Sequence, residues 1–291
     1  MTTGECTATA ATRRPRDSEI DVHGLTHQGK VRKSNQDHFL ICSLEREVRV
    51  RLSSLPDTSP LTVRGERLAF LAMVADGVGG SAKGEEASRQ ALERVTRYLT
   101  QSIQCYYTAD ADDDSGFAAS LTDAAMQVHA DIIRDSEQDP ERRGMATTLS
   151  LWLGVWPRIY LLQVGDSRCY LLRDGVLRQI SRDQTMAAEL IELGVLKPAD
   201  APNSRWASML SSSIGGSQTA PQVTRYDHRW GDVHLLCSDG LTRHVPDERI
   251  KERLEAMSSS REACEALLQD ALDAGGSDNV SIIVGRARQL A

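Results

Sequence analysis

The sequence predicts a layered α+β sandwich folded as one domain. Strand-like segments gather early and late in the chain, with two long amphipathic stretches between them, an order that suits a sandwich better than a parallel sheet with regular crossovers. Turn dipeptides such as Asp174-Gly175 join neighbouring short runs, which points to antiparallel hairpins. No internal repeat divides the 291 residues.

In chain order, residues 1–17 are rich in Thr and Ala, then basic at Arg13, Arg14 and Arg16, without hydrophobic periodicity; this predicts a mobile tail, with the single domain running over 18–289. Short apolar or alternating segments predict strands at 20–25, 38–52, 67–75, 147–156, 158–164, 168–173, 233–237 and 280–284. Ala87, Ala91, Val95 and Tyr98 recur at three- and four-residue spacing within 85–102, as do Leu121, Ala125, Val128 and Ile132 within 117–133, so both stretches predict helices covering a sheet. Two shorter helices are expected at 185–193, closed by Gly194, and at 261–272, before Gly275-Gly276. Residues 196–222, heavy in Ser, Pro and Gly, read as an irregular excursion.

Composition excludes several classes. Lys plus Arg total 34 against 41 Asp plus Glu, a net charge of -7, which speaks against a broad basic footprint for nucleic acid. The longest apolar run, 68–75, is far short of the roughly 18 residues of a membrane span, and no apolar segment follows Met1, so a cytoplasmic protein is expected; a monomer is a separate expectation. Six isolated cysteines make no Cys-x-x-Cys pair, and His23 and His27 lack the glutamate of a metalloprotease helix. The acidic run 110–114 fails the calcium-loop pattern, with Ser115 at the sixth position and Leu121 at the twelfth.

One regularity remains. Asp76, Asp166 and Asp239 each follow a strand-like run, and Asp278 directly precedes one. Singly, each is ordinary turn chemistry. If these strands share a sandwich, the four carboxylates converge at one edge, where their repulsion calls for cations. Oxygen donors without His or Cys suit Mg²⁺ or Mn²⁺. Two such ions sharing an aspartate would acidify a water for phosphoester hydrolysis, and Arg32 offers a planar fork of donors for the phosphate.

The string Arg32-Lys33-Ser34-Asn35-Gln36-Asp37, VADGVGG at 74–80, MATTL at 145–149, VGDSR at 164–168, LCSDGLT at 236–242 and GSDNVSIIV at 276–284 resemble, in order, the motifs of the metal-dependent serine/threonine protein phosphatases (PPM, or type 2C), in their bacterial form. The resemblance implies a four-layer α-β-β-α sandwich of two central antiparallel sheets flanked by helices, with two core Mn²⁺ or Mg²⁺ ions in a channel at one end. It implies that Asp76 bridges the core metals, that the Gly77 carbonyl, Asp239 and Asp278 complete their ligands, and that Asp37 holds metal-bound water. Arg32 would bind substrate phosphate, and Asp166 with Asp239 would hold a third, weaker metal. The segment from about 183 to 223 is similar to the family's flap beside the channel. The implied activity is hydrolysis of phosphoserine and phosphothreonine in proteins phosphorylated by a Ser/Thr kinase, by attack of a metal-bridging water with no covalent intermediate.

Three departures from the pattern involve four positions. Gln36 stands where many relatives have glutamate, and Ala146 replaces the glycine of the MGTT motif. Val78 and Ser81 stand where relatives carry one or other histidine, so the residues name no general acid. Two rival readings are a cysteine-dependent phosphatase using Cys237 and Arg243, and a catalytically inactive binding or scaffold module of the same fold. Alkylation would abolish activity in the first of these and chelation in the metal reading; the second predicts no metal-stimulated turnover.

Overall fold

Alternation along the strands explains the architecture. In the computed structural model, which describes residues 13–48, 63–78, 81–101 and 114–289, Leu71, Met73 and Ala75 face one hydrophobic cluster while Ala72 and Val74 face another. A strand buried on both faces reads as a continuous apolar run, which is why 68–75 lacks the polar-apolar alternation of a half-exposed strand. The same split separates Leu235 and Cys237 from Leu236, and Ile282 and Val284 from Ile283.

The strands are β1 (Ile20–His27), β2 (Asp37–Val48), β3 (Val63–Val78), β4 (Ala146–Thr147), β5 (Leu149–Val155), β6 (Arg158–Val164), β7 (Arg168–Arg173), β8 (Val176–Gln179), β9 (Gln222–Asp227), β10 (Val233–Cys237) and β11 (Val280–Ala287). One sheet has the order β1-β11-β10-β7-β8 and the other β2-β3-β5-β6-β9, with β4 pairing β3; every pairing is antiparallel. The helices are α1 (Ser81–Gln101), α2 (Asp114–Gln138), α3 (Met186–Glu192), α4 (Asp239–Thr242), α5 (Asp247–Ala256) and α6 (Ser260–Asp273).

Three apolar layers hold these elements together. Ala87, Ala91 and Val95 of α1 with Leu121, Val128 and Ile132 of α2 cover the β2-to-β9 sheet. Ile250 and Leu254 of α5 with Ala263, Leu267 and Ala271 of α6 cover the other. Val74, Leu161, Cys169, Leu236 and Ile283 fill the space between the sheets. The expected four-layer sandwich is therefore present, and Asp174 and Gly175, both at positive φ, make the expected hairpin between β7 and β8.

Besides the four-residue α4, three elements escaped the sequence reading for physical reasons. β8 and β9 lie at sheet edges and are largely exposed, so their residues carry little apolar pattern. Helix α5 buries only Ile250 and Leu254 beneath a charged face, a stripe too narrow to stand out. Residues 49–52 of the second expected strand, 1–12 of the expected tail, residue 102 and most of the 110–114 run lie outside the described residues. Within the described part of that tail, the Arg13 guanidinium pairs with Glu19 (2.7 Å) and Asp17–Glu19 form a 3₁₀ turn.

Candidate metal centre

Antiparallel pairing brings five aspartates to one end of the sandwich. Asp37 at the start of β2 sits directly across from Asp76 near the end of β3. Asp239 follows the end of β10, Asp278 precedes the start of the neighbouring β11, and Asp166 lies in the turn from β6 to β7. Asp76, Gly77, Asp166, Asp239 and Asp278 line a cleft of about 510 Å³ with Arg32, Gln36, Val78 and Arg243. Asp37 lies buried beneath them at 2% exposure.

Hydrogen bonds hold this arrangement in place. The Asp76 N–H donates to Thr148 Oγ1 (2.9 Å), while its carbonyl accepts from Thr147 Oγ1 and the Thr148 N–H, both at 2.9 Å. Ser238 Oγ donates to Asp37 Oδ2 (2.7 Å). Asn279 accepts the Gln36 N–H at Oδ1 and donates through Nδ2 to the carbonyls of Gln28 and Ser34, each at 2.9 Å, tying the 28–36 loop to β11. Close approach explains two glycines: a Cβ on Gly77 would lie 2.2 Å from the Gly84 carbonyl oxygen, and one on Gly240 would lie 1.9 Å from that of Asn279. Gly240→Ala is therefore expected to destabilise the fold by at least about 2 kcal/mol, since backbone must move rather than a flexible side-chain end; urea unfolding monitored by circular dichroism measures it.

The electrostatics are those of crowded, dehydrated carboxylates. Burial above all, reinforced by the charge of Asp239, pushes Asp37 up to about 7. Burial does the same to Asp166, again helped by Asp239, and raises it to about 7. Asp76 is driven well above the usual carboxylate range by burial and then by Asp37 and Asp239, and Asp239 is raised by burial. Two guanidinium groups answer part of this charge. Arg32 Nη2 lies 2.7 Å from Asp278 Oδ2; Arg243 pairs with Asp239 and reaches the same Asp278 oxygen at 3.1 Å. Five carboxyl groups crowd a confined space against two arginines, so that full ionisation needs further positive charge, and Asp37 Oδ1 and Asp239 Oδ1 are buried with no hydrogen-bond partner. Unfilled hard oxygen donors at the floor of an acidic cleft fit divalent cations of the Mg²⁺ and Mn²⁺ class.

All the site residues expected from the sequence come together here. Reading the sequence alone missed the place of Arg243: four residues after Asp239, it turns back along α4 to the aspartates. Thr148 and Asn279, which fix Asp76 and the 28–36 loop, were also missed, although Thr147-Thr148 and Asp278-Asn279 stand inside the matched motifs. Gln36 is buried and lines the cleft, as does the exposed Val78. Ala146 is buried in register with Val78, so its methyl is accommodated in ordinary strand pairing. Cys237 is fully buried in the layer beneath α5 and α6, where burial raises its thiol pKa, and Arg243 is committed to carboxylates; these facts remove the cysteine-dependent reading. Ser208, Met209, Leu210 and Ser213, from the excursion between α3 and β9, complete the cleft wall.

Comparison with known proteins agrees with this geometry. The family model described as Protein phosphatase 2C matches residues 57–275. The chain is 36% identical over 217 residues to the serine/threonine protein phosphatase PstP of Mycobacterium tuberculosis, covering 74% of this chain but 40% of that protein. It is 29% identical over 260 residues to the serine/threonine phosphatase stp of Listeria monocytogenes, with 89% and 92% of the two chains covered. The crystal structure of the catalytic domain of PstP in complex with two manganese ions superposes with a TM-score of 0.69 at 28% identity, over 93% of this chain and 99% of that one. With more than half its length matched by that model, and with the aspartates of the shared motifs gathered at one cleft, the chain belongs to the protein phosphatase 2C family.

Proposed function

We propose that this chain is a metal-dependent protein phosphatase that hydrolyses phosphoserine and phosphothreonine. The observation that carries the reading is the convergence of four aspartates and two arginines on one cleft above the buried Asp37, with two buried carboxylate oxygens lacking any hydrogen-bond partner. Asp76, the Gly77 carbonyl, Asp239 and Asp278 are the residues that would hold two Mn²⁺ or Mg²⁺ ions, and Asp166 with Asp239 a third. Such ions supply Lewis acidity to a water and to the phosphoryl oxygens.

The chain's own groups do the rest. Asp37, with one oxygen fixed by Ser238 and the other unpartnered, accepts a hydrogen bond from water at the cleft floor and orients it. The Arg32 side chain stays 48% exposed at the mouth, so its donor fork is within reach of an incoming phosphate. Among the described residues no histidine or lysine lines the cleft, and water is the proposed proton donor to the departing serine or threonine oxygen. The 183–223 segment, which walls one side of the cleft, would affect which phosphoproteins enter. Its substrates would be products of a Ser/Thr kinase. Among the described residues no helix is long and apolar enough to cross a membrane.

The test is hydrolysis of a small aryl phosphate and of matched phosphoserine, phosphothreonine and phosphotyrosine peptides with Mn²⁺ and with a chelator. Turnover that needs the metal and favours the first two peptides is expected. A folded sample without metal-stimulated turnover overturns the proposal in favour of a binding module. Arg32→Ala should lower kcat/KM by about 10- to 100-fold, mainly through KM, because a charge-assisted hydrogen bond is worth roughly 1.5–3 kcal/mol.

A further inference from the structure

We propose that His228, Asp232 and His234 form a second metal site, for a borderline transition-metal ion of the Zn²⁺ class, at the far end of the sandwich from the aspartates. His234 lies near the start of β10 and Asp239 just beyond its end, a separation of roughly 15 Å at the rise of a strand. His228 follows β9 of one sheet and His234 belongs to β10 of the other, so the three residues span a crossover between sheets. The proposal goes beyond the phosphatase reading and stands independently of it.

Geometry and unmet valence both point to an ion. One ligand atom from each residue falls within 4.8 Å of the others. The two imidazole rings stand nearly perpendicular, at 85°, with centroids 4.8 Å apart. Two imidazoles on one tetrahedral ion, bound at about 2.0–2.1 Å, place their centroids on the order of 5 Å apart. Nε2 of His228 and Nε2 of His234 are both buried without a hydrogen-bond partner, and His234 as a whole is only 7% exposed. His234 Nδ1 is 3.2 Å from the Tyr226 hydroxyl, which accepts from Trp152 Nε1 at 3.1 Å. In the tautomer that donates Nδ1–H to Tyr226, the lone pair is on Nε2, the outer hydrogen bonding that orients a metal-binding histidine. Burial lowers both imidazole pKa values, His228 to about 4, so both rings are neutral near pH 7, as ligands must be.

Asp232 supplies the third donor. Its carboxylate, 2% exposed, accepts two hydrogen bonds from Arg173 (2.8 and 2.6 Å) and the Arg229 N–H (2.7 Å), which leaves capacity on Oδ1. Because Arg173 already balances this carboxylate, the ion needs a further ligand, a water or a small anion. Both imidazoles line a cavity of about 90 Å³ beside Trp152 and Trp156, which gives that ligand room. Imidazole donors select zinc, copper or nickel over the magnesium and manganese favoured by a carboxylate cleft. A filled site would clamp the β9–β10 crossover and so one sheet to the other.

The full chain, held in excess Mn²⁺ to occupy the aspartates, is titrated with Zn²⁺ alone by equilibrium dialysis and followed by thermal unfolding. Wild type should bind one more equivalent than His228→Gln, with the affinity of that equivalent falling at least about 100-fold, beyond the 10- to 100-fold that loss of an outer partner produces. Zn²⁺ should raise the melting temperature of wild type alone, while Mn²⁺-dependent aryl phosphate turnover stays equal in the two proteins. X-ray absorption at the zinc edge of the wild-type protein needs no variant and should show two imidazoles. Equal Zn²⁺ stoichiometry in two folded proteins, or a shell of oxygens alone, overturns the site.

Discussion

Asp239→Asn is expected to lower Mn²⁺-dependent kcat/KM by about three orders of magnitude, the scale of losing several kcal/mol of cation-borne stabilisation of the transition state. The same substitution should leave the metal-free chain at least as stable as wild type. Both effects come from one charge. In the bare protein Asp239 is a dehydrated carboxylate facing Asp76 and Asp278, and removing its charge relieves repulsion. In the loaded protein that charge and the unpartnered Oδ1 are what an ion needs. Melting curves should therefore cross: the variant melts at or above wild type in chelator and below it in Mn²⁺. Near-normal turnover, or a variant destabilised equally in both conditions, would show that Asp239 is a structural side chain and not a ligand.

The second large effect is on stability as a function of pH. Asp37 and Asp166, each pushed to about 7, keep a proton in the folded chain that the unfolded chain has already released above its ordinary value of 3.8. Folded protein thus binds more protons between these limits, and metal-free stability falls as pH rises from about 4 to about 7. At about 1.36 kcal/mol per pKa unit, the full swing is on the order of 4 kcal/mol for one such group. Cations displace these protons, so Mn²⁺ should raise the melting temperature far more at pH 7.5 than at pH 5. His228 and His234, whose burial disfavours protonation, contribute a slope of opposite sign below pH 6.5. Comparison with Asp166→Asn isolates the carboxylate share, since the variant should lose part of the downward slope and keep the histidine one. A chelated wild type whose stability is level or rises over that window, relative to this variant, rules out the buried-proton account.

How much of this was legible before folding differs from element to element. The run at 68–75 announced a strand buried on both faces, and the spacing of Ala87, Ala91 and Val95 announced the helix that covers it. Edge strands β8 and β9 and the charged helix α5 were silent, because elements that face water keep little apolar pattern. In the site, aspartates at strand ends were visible one by one, and the ordered motifs told them apart from common turn residues. Arg243 was not visible as a site residue. Asp278 is 35 positions further along the chain, and their nearness exists only after β10 and β11 pair.

By itself, then, the sequence determined the strand and helix pattern of the buried layers, the oxygen-donor chemistry of the aspartates and the family to which their motifs belong. These are local properties: side-chain period, turn chemistry and residue order are written in neighbouring positions. Tertiary structure decided which strand ends meet, how far burial lifts each carboxyl group, that Cys237 points into a core, and that His228 and His234 face each other across two sheets. Each of those depends on register and dehydration, which are set by contacts between residues distant in the chain and have no signature in any single segment.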